Sequence, residues 1–296
     1  MNQSRDVEVT GTIRRLLAEG RNGVAERFLR DQIASAPSWI HARIELTKLL
    51  IALNRRDDAL DAIKDTIQLF PDSVLSWCTL ATFHHDSQRF DEARKAFFAA
   101  ALLEPSSALV CSRLAILFGR LKNVANQSRL LARLIALAPD SPWPRIELAK
   151  LWLLDKGLEA RVLEQTRRAQ LLAPGSGEAA YLFGLASFVQ TSYSLAIHHL
   201  SRASVSAPEN PSVHYQMGHS AFLVADQALA EKSTLAALRL GYSEAKAHFL
   251  LARIYRAQSR HNDAAREFTR LEEIDPDAAE KRRIVEWTVT AENFFA

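Results

Sequence analysis

Two pairs of adjacent histidines, His84-His85 and His198-His199, are the residues of this 296-residue chain that first suggest metal binding or acid–base chemistry. Successive residues on a helix point about 100° apart, so neither pair can turn both rings onto one ion. His214 and His219 stand five positions apart, not at the i, i+4 spacing of a metal-binding HExxH helix. Cys78 and Cys111 form no CxxC pair and cannot build a disulfide framework, which fits a reducing compartment; both are expected to be buried free thiols. No GxxxxGK[ST], GxGxxG or GxSxG loop is present, and isolated acids such as Asp86 and Glu147 fit solvated helix faces. No catalytic residue, no metal site and no cofactor is expected, so the chain is not expected to be an enzyme.

The elements carrying these residues are set by prolines. Pro37, Pro71, Pro105 and Pro139 follow one another at 34 residues, Pro174 comes one residue late, and Pro208 follows at 34 again. Tyr242 takes the next slot and Pro276 closes the series. Each proline follows an apolar helix end, and the five from Pro71 to Pro208 precede Ser73, Ser107, Ser141, Ser176 and Asn210 by two positions. Proline cannot continue a helix, and serine or asparagine accepts a bond from the free N–H groups of the next one, so each proline marks a joint between helices.

The third repeat is the clearest. Trp77, Leu80, Ala81 and His84 lie at i, i+3, i+4, i+7 on one helix, and Phe90, Ala93, Phe97 and Ala100 share a face of the next. The close-contact slot of Ala81 recurs as Ala115, Ala149, Gly184, Gly218 and Ala252, and that of Ala93 as Ala25, Ala59, Ala196, Ala230 and Ala264. Departures occur: the Trp77 slot holds Arg43, Arg145, His214 and His248, Gln127 stands in the small slot of the fourth repeat, and an extra residue lies near Asp155-Lys156-Gly157. Irregularity is expected there.

This 34-residue pattern of Trp, Leu, small residue, aromatic, Ala, Phe, Ala and Pro resembles the tetratricopeptide repeat family, from about Asp6 to Asp277. The resemblance implies an all-α fold, a right-handed superhelical solenoid of eight helix-turn-helix repeats at about 6–39, 40–73, 74–107, 108–141, 142–176, 177–210, 211–244 and 245–277. Residues 278–296, with Ile284, Trp287, Thr288, Ala291 and Phe294 at helical spacing, are expected to form a C-terminal capping helix and tail.

The resemblance also implies that first helices line a concave groove that binds a protein or peptide, as a scaffold or adaptor does. Helical geometry then selects the stripe beside the core: Cys78, Thr82 and His85 and their equivalents. Arg14, Lys48 and Lys150 are early members; Tyr181, Leu185, Phe188, Tyr215, His219, Phe222, Phe249, Arg253 and Arg256 gather in repeats six to eight. Aromatic and arginine side chains anchor interfaces, which makes the later repeats the expected binding surface. The alternative, that these aromatics pack between adjacent repeats, stays open. The family's carboxylate-clamp asparagines are missing.

A formal net charge of +3, with 24% charged and 48% hydrophobic residues, does not point to a nucleic-acid partner. No apolar run approaches the ~20 residues of a membrane span, and charges interrupt any signal-like stretch from Met1 to Gly20, so a cytoplasmic location without membrane insertion is expected. Arginine far outnumbers lysine, in keeping with a GC-rich, bacterial genome. Two further readings remain: the recognition part of a larger protein-modifying enzyme, or a nucleic-acid-binding solenoid. Self-association through Asn293-Phe294-Phe295 would make a homo-oligomer.

Overall fold

A computed structural model describes residues 2–276 except 154 and 156. The expected capping segment and its tail lie outside the described residues. The helices, in chain order, are α1 (Asn2–Ala18), α2 (Asn22–Ser35), α3 (Ile40–Ala52), α4 (Arg56–Leu69), α5 (Val74–Asp86), α6 (Phe90–Leu103), α7 (Ala108–Arg120) and α8 (Val124–Leu137). They continue as α9 (Trp143–Trp152), α10 (Glu159–Leu172), α11 (Gly177–Val189), α12 (Tyr193–Ser206), α13 (Pro211–Leu223), α14 (Gln227–Arg239), α15 (Glu244–Ala257) and α16 (His261–Ile274). No strand occurs among the described residues.

These pair into eight antiparallel hairpins, first helix odd and second helix even. They form two compact units, with α1–α8 in unit 1 (Met1–Pro139) and α9–α16 in unit 2 (Asp140–Ala296). Within each unit every hairpin stacks on the next, and first helices pack on first helices. A lone hairpin of this length buries too little apolar surface to offset its chain entropy, so stacking supplies the core.

The cores run through the slots read from the sequence. Ala81, Ala93, Phe97 and Ala100 are buried together in unit 1, and Ala180, Ala196, Leu200 and Met217 in unit 2. Gly184 and Gly218 let helices meet: a methyl group on Gly218 would lie 3.0 Å from the backbone N of Thr234. Gln127 in the small slot of α8 is accommodated from the other side, because Gly119 of α7 faces it; a Cβ there would come 2.8 Å from Gln127 Nε2.

Hairpin turns repeat as well. Asn54, Gln88, Lys122, Thr191, Ala225 and Ser259 all adopt left-handed φ values of 54 to 62°, and Gly20 and Gly157 fill the same slot. That residue stands seven positions after the buried small residue in Ala81, Ala115, Gly184, Gly218 and Ala252, but eight after Ala149. The extra residue therefore lies between Ala149 and Gly157, where α9 stops after only 10 residues.

The joints show what the prolines do. Ser73 and Ser176 accept from the backbone N–H groups of Ser76 and Ala179, and Asn210 from Ser212, as their positions predict. Ser107 precedes α7 but its hydroxyl makes no such bond, and the helix after Ser141 begins one residue late behind Pro142. The free proline carbonyl meets a side-chain donor at joint after joint. Trp77 donates its indole N–H to Pro71 O at 2.8 Å, while Arg43 donates to Pro37 O and His214 bonds to Pro208 O from the same slot. Where that slot is Cys111 or Ala180, Arg133 and Arg202 of the second helices reach Pro105 O and Pro174 O instead. The polar departures from tryptophan at Arg43 and His214 thus preserve the bond that tryptophan makes.

Candidate functional site

In unit 2 the stripe selected from sequence forms a connected row across three first helices. Tyr181 of α11 stands beside Ser212 at the start of α13, and Phe188 lies 5.0 Å from His219 of α13 and 5.5 Å from Tyr193. Tyr215 stacks on Tyr242 at 4.3 Å and approaches His219 at 6.0 Å. The Arg253 guanidinium of α15 sits 4.6 Å above the Phe222 ring and 5.7 Å from Phe249. Such cation–π geometry contributes ~0.5–1 kcal/mol at exposed sites and more when desolvated.

These side chains are half-buried: the aromatics pack between adjacent repeats and are also partly accessible. Tyr181 and Phe188 pack against the core of α11–α13, and Tyr215 and Phe222 against Ala221, Leu250 and Ile254. Burial, with Arg253 adding repulsion, lowers the His219 pKa, which favours a neutral ring at the centre of the row. Burial raises the Tyr181 hydroxyl, partly opposed by Ser212, so both groups present hydrogen-bonding rather than charged surfaces.

Beside the row opens a cavity of about 540 Å³ lined by Lys150, Leu153, Glu178, Tyr181, Leu185 and Val213, among others. Lys150 bridges Glu147 at 2.7 Å and Glu178 at 2.5 Å; burial works against its charge, yet the two carboxylates hold its pKa above the ordinary lysine value. Arg256 is exposed on α15. The remaining two predicted residues belong to unit 1, Arg14 exposed on α1 and Lys48 exposed on α3, where Lys48 pairs with Glu45 at 2.7 Å.

On the unit 1 face sequence reasoning singled out Arg14 and Lys48. The structure places there a cavity of about 300 Å³, lined by Ile44, Ile51, Leu75, Phe83 and Leu109 with Lys48, Asp86 and Arg113. The signal was available: Leu75 and Leu109 fall outside the core stripe of their helices, and both are exposed, at 39% and 40%.

His199 is buried 4.1 Å from Phe183 and pushed down to about 4 by burial, with His198 and Arg202 adding, while His198 is exposed. His84 and His85 are half-buried on α5, with His85 Nδ1 3.1 Å from Asp86. Burial pushes the Cys78 thiol up to about 11, so it is protonated at neutral pH. Among the described residues no group of three or more His, Cys, Asp or Glu side chains could hold a metal ion. No described helix is long and apolar enough to cross a membrane.

A tetratricopeptide-repeat family model matches residues 45–108 and 215–279. The matched segments, in the second, third, seventh and eighth hairpins, are similar to tetratricopeptide repeats. Solved structures of this fold superpose at low identity. Pseudomonas aeruginosa pilF aligns with a TM-score of 0.57 and 17% identity over 78% of this chain and 99% of its own. PilW, a type IV pilus biogenesis factor, gives 0.56 and 18% over 72% and 98%. A tetratricopeptide repeat protein from Parabacteroides merdae gives 0.54 and 13% over 82% and 96%. At these identities the likeness is one of fold. No curated protein matches the chain in sequence.

Proposed function

We propose that this tetratricopeptide-repeat chain is a non-catalytic, cytoplasmic scaffold that holds an extended peptide or a partner helix against the first helices of unit 2. The observation that carries the reading is the connected row from Tyr181 to Arg253, together with the cavity beside Lys150, Tyr181 and Leu185. Half-buried aromatics on rigid helices present contact area at low entropic cost, which is what an anchor residue requires. Lys150 and Glu178 at the cavity rim offer one charge of each sign to orient a bound backbone or side chain.

The test is affinity capture from the native cell followed by mass spectrometry. Wild type is compared with Leu185→Arg, which puts a charge into the cavity, and with Arg94→Glu on the second-helix surface of unit 1. Proteins recovered with wild type and Arg94→Glu but missing from Leu185→Arg support the reading, provided that circular dichroism shows equal helicity. Identical recoveries from all three would refute it.

A further inference from the structure

Residues 105–139 contain Arg113, Arg120, Lys122, Arg129 and Arg133 and no aspartate or glutamate. A whole hairpin is thus cationic in a chain whose overall balance is only +3. Two of these cations are engaged within the hairpin: Arg133 donates to Pro105 O at 2.7 Å and Arg129 to Asn126 at 3.4 Å. Arg113, Arg120 and Lys122 make no ion pair or side-chain hydrogen bond with any described residue. By contrast, Arg30 of α2 pairs with Glu26 and Arg94 of α6 with Asp91.

Arg113 stands at the rim of the unit 1 cavity. Of the other charged groups lining it, Lys48 is paired with Glu45 and Asp86 lies against the His85 ring, while Arg113 makes no ion pair with any described residue. The floor is aliphatic. Thr79 and Thr82 turn their hydroxyls back onto the carbonyls of Leu75 and Cys78, so they do not compete as polar partners. Next to Arg113 on α7, Leu109 and Ile116 are 40% and 39% exposed, apolar area that water covers in the isolated chain.

We propose that the first-helix face of unit 1 docks an acidic peptide segment carrying a large aliphatic side chain, with that side chain in the cavity and a carboxylate on Arg113. This rests on the reading that first-helix faces of the chain hold peptides, and it assigns unit 1 a ligand chemistry of its own. Aliphatic lining selects for shape and apolar area, while arginine takes a carboxylate in a bidentate fork. A nucleic-acid strand is disfavoured because stacking needs open aromatic faces, and the aromatic ring lining this cavity, Phe83, is 4% exposed.

The test is fluorescence anisotropy of the full chain with a labelled peptide of alternating glutamate and leucine. The comparison ligands are the same peptide with lysine for glutamate, the same with alanine for leucine, and a single-stranded thymidine oligonucleotide. Saturable binding of the first ligand is expected, weakened about tenfold or more by either peptide change, by Arg113→Glu and by raised salt. Lys232→Glu, an equal charge reversal on α14, leaves it within about twofold of wild type. Absence of saturable binding to wild type, equal binding by folded Arg113→Glu, or tighter binding of the oligonucleotide overturns the proposal. Capture by Leu185→Arg reads the unit 2 face separately, so either reading can fail alone.

Discussion

Replacing Gly218 by alanine pits two local effects against each other. In a helix interior the change gains about 0.8–1.0 kcal/mol of helix propensity. At this position, however, the new methyl would stand 2.5 Å from Thr234 Oγ1, 3.0 Å from its backbone N and 3.1 Å from Ala230 O. Thr234 is fully buried and its hydroxyl is held on Ala230 O at 2.7 Å, so it has no free rotamer to escape into. Helices α13 and α14 must part, and overpacking of this kind costs ~1–3 kcal/mol. The net expectation is a loss of up to about 2 kcal/mol, or as much as several degrees in melting midpoint. Gly11, on α1, is the control: nothing lies within 4 Å of its added Cβ, and Gly11→Ala should stabilise by up to about 1 kcal/mol. Urea and thermal denaturation followed by circular dichroism measure both. A Gly218→Ala protein as stable as wild type or more so would refute the close-contact argument.

His199 binds a proton in the unfolded chain near pH 6.5 but in the folded chain only near 4, so the stability its neutral form contributes is complete above about pH 6.5 and is lost as pH falls towards 4. That loss is of order 3 kcal/mol by pH 4, and His199→Phe should flatten the acid limb of a pH–stability profile; an unchanged slope would show that the group titrates normally. Trp77→Phe keeps the ring but removes the N–H given to Pro71 O, with an expected cost of about 0.5–1.5 kcal/mol in urea unfolding, whereas Trp77→Arg should recover part of it. Ser176→Ala removes the cap on Ala179 N–H and should cost ~1 kcal/mol, against a negligible effect for Ser107→Ala, whose hydroxyl makes no cap bond.

The fold was legible because its signal is redundant. Proline, the small contact residue and the large wedge each repeat independently, so the extra residue in the fifth hairpin displaced the register by one position without hiding it. What single slots could not reveal was compensation. Gln127 looked like a flaw in the fourth repeat until Gly119 was seen opposite it, and Arg43 looked like a missing tryptophan until its bond to Pro37 O was seen. The unit 2 stripe was found from helical geometry, but the half-burial of Tyr215 and Phe222 depends on Tyr242 at the far end of the same repeat and on Arg253 and Ile254 of the following one. The unit 1 cavity was missed for a different reason. Leu75 and Leu109 fall outside the core stripe of their helices, but the stripe beside the core was read for aromatic and arginine anchors, so these exposed aliphatic residues were passed over.

The capped proline carbonyls imply a different alphabet for these repeats. A joint asks for a donor at one point in space, and indole, guanidinium and imidazole answer equally, from the first helix or across from the second. Letter-by-letter similarity then decays much faster than structure does. The joints at Pro37, Pro105 and Pro174 receive arginine, and none of Arg43, Arg133 and Arg202 lies in a segment that the family model matches. A search for repeats in terms of which carbonyl must be met, and from which two directions it can be reached, would register such hairpins where a residue pattern passes over them.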